Sequence, residues 1–190
     1  MLEISPSYLW RMPEDYSQSR IGRYDRGNGP NRFMFMQGCP ITSPKTNPKV
    51  AFGCSKNRLA EFDCIWADAG SPIIGEKLRG ILADKAPEWV QFFDVDISTN
   101  DGALNSFWML NVAACVEVID VEKSRYTLVP GTNEIMSFSE LAIDENEMVG
   151  AQIGRDKSYL SYIFVSRALA LEIDKADLTG IDLVVPSLVV

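Results

Sequence analysis

Histidine is absent from this chain of 190 residues, and its absence removes several kinds of active site. Ser–His–Asp and Cys–His nucleophiles, histidine-ligated zinc and imidazole acid–base catalysis all need that side chain. No apolar run approaches the roughly 18 residues that a membrane-spanning helix requires, so we expect no membrane partner. Glu3 stands where a secretory signal would be basic, and no long apolar core follows it. We therefore expect a cytoplasmic protein.

Positive charge is also scarce. The chain has 18 Lys and Arg residues against 26 Asp and Glu residues, for a net charge of -8 at pH 7. A nucleic-acid-binding protein usually needs a basic surface to neutralise phosphates, so we expect no nucleic-acid partner. Residues 1–50 carry an excess of bases, and the acid excess lies in residues 51–190. This distribution suits contact with a basic partner, although an ordinary solvated surface has the same composition.

Cysteines are few, and their spacing does not favour a metal. The four cysteines include no C-x-x-C pair, whereas structural zinc sites rely on such close pairs. We expect neither a metal nor a cofactor, and we interpret the cysteines as buried thiols of a reducing compartment. Cys115, within the apolar run Val112-Ala113-Ala114-Cys115-Val116, is the clearest candidate for the core.

Proline and loop-forming residues concentrate near the start of the chain. Pro40, Pro44 and Pro48 remove backbone donors and interrupt both helix and sheet. Residues 1–49 are therefore interpreted as a loosely structured N-terminal arm, and residues 50–190 as the folded body.

The body has the patterns of an α+β fold. Ser71 and Pro72 begin a predicted helix over 71–82, and Ser166 caps a second helix over 167–176. Strands are predicted over 89–97, within 107–120 and at 134–138, and a hairpin over 152–165. A mainly antiparallel sheet with about two packed helices would accommodate this order.

Acidic residues are the main candidates for chemistry. Asp94 and Asp96 alternate along a predicted strand, which would place both carboxylates on one face. Such a pair could serve a small carboxylate-dependent hydrolase or transferase, and the same pattern also describes the polar face of a half-buried strand. Neither Ser71 nor Ser166 has a nearby base, so we assign no catalytic residue.

The C-terminal half resembles a known family. The segments Phe107-Trp108-Met109-Leu110-Asn111-Val112 and Asp120-Val121-Glu122-Lys123-Ser124 are followed by Ile163-Phe164-Val165-Ser166 and Leu178-Thr179-Gly180-Ile181. Over about residues 85–185, this order is similar to the eleventh immunity-protein family of bacterial polymorphic toxin systems, first described from a myxobacterial genome. The family usually ends in Gly-x-x-Phe, whereas Asp182 and Leu183 follow Ile181 here.

The resemblance implies a protein without catalytic activity that binds and neutralises a cognate toxin. Its matches at Asp120, Ser124, Ser166 and Gly180 fit turns and caps. An acidic immunity protein can fill the basic cleft of a toxin that attacks nucleic acid. The expected contact surface comprises Asp94, Asp96, Asp101, Asp144, Glu145 and Glu147. A homodimer formed through the segment Phe33-Met34-Phe35-Met36 is a further possibility that the sequence leaves open.

Overall fold

The computed structural model describes residues 5–42, 44–144, 148 and 150–186. These residues form three α-helices: α1 (Lys56–Ala60), α2 (Glu76–Lys85) and α3 (Arg167–Lys175). They also form fifteen strands: β1 (Ser7–Arg11), β2 (Arg23–Tyr24), β3 (Lys49–Ala51), β4 (Cys64–Ile65), β5 (Ile73–Gly75), β6 (Val90–Asp94), β7 (Asp96–Thr99), β8 (Gly102–Leu104), β9 (Phe107–Val112), β10 (Cys115–Val116), β11 (Arg125–Leu128), β12 (Ile135–Glu140), β13 (Ile153–Asp156), β14 (Ile163–Ser166) and β15 (Asp182–Val184). The predicted α+β class with mainly antiparallel sheets is confirmed.

A five-stranded sheet has the order β10-β13-β14-β1-β15. Strand β1 comes from the segment interpreted as an N-terminal arm, and it pairs antiparallel with β14 on one side and β15 on the other. Every side chain of β14 is buried, because this strand lies inside the sheet and helix α3 packs against it. Strand β1, near the start of the chain, therefore lies in the same sheet as β14 and β15, which come late in the sequence.

Two four-stranded sheets have the orders β4-β5-β9-β6 and β2-β3-β7-β8. Leu78 and Leu82 of α2 share one core cluster with Leu169 and Ile173 of α3. Apolar residues at helical spacing on both helices produce this shared core. Among the described strands, β11 and β12 pair with each other alone and form a separate two-stranded sheet.

The predicted helix over 71–82 is wrong in its first half. Ile73 and Ile74 belong to β5 and pair with Met109 and Trp108 of β9, and the helix begins only after Gly75. Ser71 is buried, and its hydroxyl donates a hydrogen bond to the Leu110 carbonyl instead of capping the helix. Two adjacent β-branched residues with a buried partner strand outweigh a local Ser-Pro helix signal.

The single strand predicted over 89–97 is also corrected. The chain leaves the β4-β5-β9-β6 sheet after Asp94 and enters the β2-β3-β7-β8 sheet at Asp96. Cys115, predicted to be a core residue, is exposed, whereas Cys54 and Cys64 are buried. Cys115 lies on β10, the edge strand that pairs with β13 in the described sheet, so its apolar sequence neighbours do not determine its burial.

The C-terminal predictions agree with the structure. Strands β13 and β14 form the antiparallel hairpin expected within 152–165, with Ile153 opposite Val165. The Ser166 hydroxyl accepts a hydrogen bond from the Leu169 backbone N–H at 3.2 Å and caps α3. Gly180 has a φ of +79°, the left-handed conformation expected for it after the helix.

A buried guanidinium fixes the turn between β13 and β14. Arg155 donates hydrogen bonds to the Leu160 carbonyl at 2.7 Å and to the Gly70 carbonyl at 3.1 Å. Its burial lowers the pKa of Arg155 to about 10. Because one side chain reaches both carbonyls, the turn after β13 is held against the segment that leads into β5.

Candidate functional site

The predicted acidic residues that the structure describes, Asp94, Asp96, Asp101 and Asp144, do not lie in one part of the fold. Asp94 ends β6 and Asp96 begins β7, and these strands belong to different sheets. Both residues are exposed, and Asp96 Oδ1 accepts a hydrogen bond from Asn47 Nδ2 at 3.0 Å. The two aspartates therefore lack the shared strand on which the idea of a catalytic carboxylate pair depended.

The Asp101 carboxylate is hydrogen-bonded within the fold, at the start of α1. Its Oδ1 accepts hydrogen bonds from the Lys56 backbone N–H at 2.7 Å and from Thr99 Oγ1 at 2.8 Å. Both hydrogen bonds favour the charged carboxylate and lower the pKa of Asp101. Asp101 thus satisfies a free donor at the start of α1, which links the β7–β8 turn to that helix.

Asp144 lies in another part of the fold. Its backbone N–H donates to the Val118 carbonyl at 2.8 Å, beside a β-bridge between Ile119 and Ile143. Its side chain is exposed and lines grooves formed with residues 114–122. Glu145 and Glu147, the remaining predicted contacts, lie outside the described residues.

Asp96 lines a groove on the outer face of the β2-β3-β7-β8 sheet, with a volume of about 510 Å³. Ala51, Ser98 and Ala103 form a row across the strands, and these small side chains explain why the sheet surface is hollow there. Arg23 and Lys49 also line this groove, so its charge is mixed.

A second groove, which we call the acidic groove, lies beside β10 and has a volume of about 490 Å³. Its charged lining residues are Glu117, Asp120, Glu122, Asp144, Asp156 and Lys157. The Lys157 ammonium contacts the Glu117 carboxylate at 2.6 Å and lowers the pKa of Glu117. Lys123 Nζ likewise contacts Asp120 Oδ2 at 2.7 Å, and the groove carries excess negative charge even with both ion pairs formed.

Asp156 gives the acidic groove its backbone shape. This buried carboxylate accepts the N–H groups of Val118 at 2.8 Å and Ile119 at 2.9 Å through Oδ2. Its Oδ1 accepts the N–H and the hydroxyl of Ser158. One anion with four donors therefore ties the segment after β10 to the turn after β13, a strong form of local anchoring.

A third groove, which we call the hairpin groove, separates the β11–β12 hairpin from the turn at 157–161, and its volume is about 630 Å³. Tyr126 and Ile135 line it from the hairpin, Tyr159 and Leu160 from the turn, and Glu134 from its rim. It shares Val121, Lys157 and Ser158 with the acidic groove, so the two grooves form one continuous surface.

Aromatic rings hold the hairpin in place. The Phe138 ring lies 5.5 Å from that of Tyr159 and 6.0 Å from that of Tyr162, and the two tyrosine rings are 4.7 Å apart. The Tyr159 hydroxyl also donates to the Met136 carbonyl at 3.1 Å. These contacts give the hairpin groove a fixed wall on each side.

The sequence interpretation missed the hairpin groove because strand β11 was not predicted. The signal was present: Tyr126 and Leu128 alternate with polar residues, and Pro130-Gly131 precedes the apolar Ile135. A turn dipeptide between two such short runs is typical of a hairpin. Identifying the groove itself also required the turn at 157–161, which is distant in sequence.

The described part of the chain contains neither a metal-binding cluster nor a membrane-spanning helix. Residues 5–42, 44–144, 148 and 150–186 contain no group of three or more Cys, Asp or Glu side chains arranged to hold a metal ion. None of the helices in this part of the chain has the length and apolarity needed to cross a membrane.

Comparison with known proteins gives a family for nearly the whole chain. The model of the immunity protein family (Imm11) matches residues 5–185, which adds the first five strands, α1 and most of α2 to the region of resemblance expected from sequence motifs. No match was found among curated proteins. The family match spans every described strand and helix, and the chain belongs to the Imm11 immunity protein family.

Proposed function

We propose that this protein binds a cognate toxin in the cytoplasm of the cell that produces it, and neutralises the toxin by covering its active site without catalytic turnover. Membership of an immunity protein family is the observation that carries this proposal. A stable grooved surface suffices for such a role, because a partner that blocks an active site need not make or break a bond.

Electrostatics support a basic toxin surface as the partner. The chain carries a net charge of -8, and the lining of the acidic groove includes five carboxylates, one of them the buried Asp156, against one lysine. Opposite charge accelerates association and disfavours wrong partners. A toxin that attacks nucleic acid has a basic cleft for its substrate, so this class of toxin fits best.

The exposed acids predicted from sequence belong to this proposal as attracting charges. Asp94, Asp96 and Asp144 are exposed, and we assign them a role in drawing a basic toxin towards the protein. Asp101 contributes charge while it anchors α1, and Glu145 and Glu147 complete the predicted set. Charges at the rim of an interface mainly change the association rate and its dependence on salt.

A homodimer is a separate proposal based on the segment Arg32–Met36. This segment is a 3-10 helix in which Phe35 is buried and the Phe33 side chain is 53% exposed. Phe33 is therefore the residue whose ring could contact a second copy. Measuring the solution mass of the wild type and of Phe33→Ala tests this contact, since a monomeric wild type would contradict it.

Co-expression with the toxin domain encoded in the neighbouring reading frame tests the main proposal. We expect growth rescue, co-purification of a complex, and loss of toxin activity that is complete at about one immunity protein per toxin. Absence of both rescue and complex would refute the toxin-binding function. Full protection at far below one equivalent would refute occlusion, because only a catalyst can inactivate many toxin molecules.

The attracting charges are tested in the same complex. Asp94→Asn combined with Asp96→Asn is expected to lower the association rate at low salt and to flatten its decrease with added salt. Asp174→Asn on α3 removes one exposed carboxylate away from these positions and serves as the control. An association rate that matches the control at every salt concentration would remove these two residues from the proposed surface.

A further inference from the structure

We propose that the hairpin groove and the adjoining acidic groove are the principal docking surface for a basic polypeptide segment of the toxin. In this arrangement the hairpin groove binds an arginine or lysine side chain of that segment, and a neighbouring apolar side chain of the same segment packs beside the basic one. The inference rests on the proposed function, because it specifies where the toxin binds and what chemistry the bound segment has.

The first observation is the concentration of exposed apolar side chains on the hairpin. Within the described part of the chain, three of the five large apolar residues with substantial exposure belong to β11 or β12: Tyr126 (39%), Leu128 (44%) and Met136 (53%). Adjacent exposed apolar residues are typical of interaction sites, whereas single scattered ones are ordinary. Tyrosine is also enriched among residues that dominate binding energy.

The second observation is that this surface is already ordered. The hairpin is fixed by ring contacts of Phe138 with Tyr159 and Tyr162, and the facing turn is fixed by Arg155 through the Leu160 carbonyl. A partner that docks in the groove consequently loses little free energy in ordering its walls. The groove volume of about 630 Å³ is sufficient for one or two large side chains.

Charge determines the chemistry of the occupant. The described lining residues of the two grooves include six carboxylates and one lysine: Glu117, Asp120, Glu122, Glu134, Asp144, Asp156 and Lys157. Asp120 is also ion-paired with Lys123 at 2.7 Å, and Asp156 is buried with its oxygens turned into the fold, so the surface keeps a smaller but still negative net charge. The Tyr126 and Tyr159 rings line the same surface, and aromatic faces attract guanidinium and ammonium groups. A basic segment therefore gains from both the carboxylates and the rings.

The same charge disfavours other occupants. A nucleic acid would bring phosphates towards carboxylates, and a second copy of this chain, with its net charge of -8, would bring another acidic surface. A neutral apolar peptide could use the rings but would bring no positive charge to the acidic groove. Among these occupants, the basic segment alone satisfies both halves of the surface.

The test uses the full-length protein and the toxin domain in a purified complex. Tyr126→Ala, which removes a lining ring, and Leu128→Ala, which truncates the exposed residue paired with the lining residue Ile135, are each expected to raise the Kd by about 10-fold or more, mainly through faster dissociation. Glu134→Lys is expected to slow association, because it reverses a charge on the rim of the groove. Leu171→Ala is the matched control: Leu171 on α3 is 40% exposed, and its truncation should change the Kd by less than about 2-fold.

The outcomes separate this inference from the proposed function. Thermal unfolding is measured for each variant, and Glu134→Lys provides a second result that does not depend on removing a ring contact. If wild-type protein fails to bind the toxin, the proposed function itself fails. If wild-type protein binds and neutralises the toxin while all three groove variants behave like Leu171→Ala, the toxin docks elsewhere and only the groove assignment is overturned.

Discussion

Replacing Asp156 with alanine tests whether one buried carboxylate holds together the segments that line the acidic groove. The substitution leaves four donors without their acceptor: the N–H groups of Val118, Ile119 and Ser158, and the Ser158 hydroxyl. A buried donor that loses its acceptor costs about 1–3 kcal/mol. The contact with Val118 is buried, while those with Ile119 and Ser158 are only partly buried and can be replaced by water.

We therefore expect Asp156→Ala to lower the free energy of unfolding by about 2–4 kcal/mol, because roughly two of the four donors remain unsatisfied. For a chain of this length, this corresponds to a decrease in Tm of roughly 5–15 °C. Asp156→Asn should have a smaller effect, since its amide oxygen can still accept one donor pair while its NH2 group faces the other.

Urea unfolding followed by tryptophan fluorescence measures these differences. Asp174→Asn is the control for loss of charge alone: Asp174 is exposed on α3, and a surface substitution of this kind changes stability by about 0.5 kcal/mol or less. An Asp156→Ala variant as stable as Asp174→Asn would refute the anchoring role. Such a result would show that the backbone of 117–119 keeps its position without the carboxylate.

Three further predictions concern other parts of the fold. Gly180→Ala should destabilise the protein by about 3 kcal/mol or more, because its φ is +79° and the new Cβ would lie 2.0 Å from the Cys64 carbonyl oxygen. Gly131→Ala is the control and should cost only about 1 kcal/mol, because Gly131 has a φ of +80° and no neighbour within 4 Å of the new Cβ. Equal losses of stability in urea unfolding would contradict the steric argument. In the native protein a maleimide should label the exposed Cys39 and Cys115 and should leave the buried Cys54 and Cys64 unlabelled until the chain unfolds. Equal labelling of all four cysteines would contradict this burial pattern. The folded-state pKa of Asp101 is lower than its unfolded pKa of 3.8, so the stabilising contact of the carboxylate with the Lys56 N–H is fully present above pH 3.8 and is lost as the pH falls through the folded value. Asp101→Asn should therefore lose less stability than wild type between pH 5 and pH 2. Urea unfolding across this pH range measures the difference.

Local signals in the sequence were sufficient for the C-terminal part of the fold. Ser166 precedes residues with helical periodicity, and its capping contact is with Leu169, three residues along the chain. The left-handed φ of Gly180 is likewise expected from its position just after the helix. The same reasoning failed at Ile73 and Ile74, where pairing with β9 decides the conformation. It failed again between Asp94 and Asp96, because a change of sheet within a strand-like run leaves the alternation of side chains almost unaltered.

The candidate site was less accessible to sequence reasoning than the fold. Its walls come from the β11–β12 hairpin and from the turn at 157–161, and the contact between them depends on packing of Phe138 against Tyr159 and Tyr162. Composition indicates an acidic surface, but it does not indicate which carboxylates the fold itself uses. Asp101 and Asp156 have the same residue type as Asp94 and Asp96, and only the donors around them distinguish their roles.

That distinction defines how a toxin could be recognised. Carboxylates that accept backbone N–H groups, such as Asp156, have their oxygens directed into the fold and contribute to a partner mainly by shaping the groove. Exposed carboxylates, such as Glu122 and Glu134, direct their charge towards solvent and can meet a cation from outside. Because charge acts over about 10 Å at ordinary salt whereas apolar contact requires touching atoms, the acids should govern how fast a basic toxin arrives. The rings and aliphatic side chains of the hairpin should then govern how long it stays, so rate measurements can separate the two contributions within one interface.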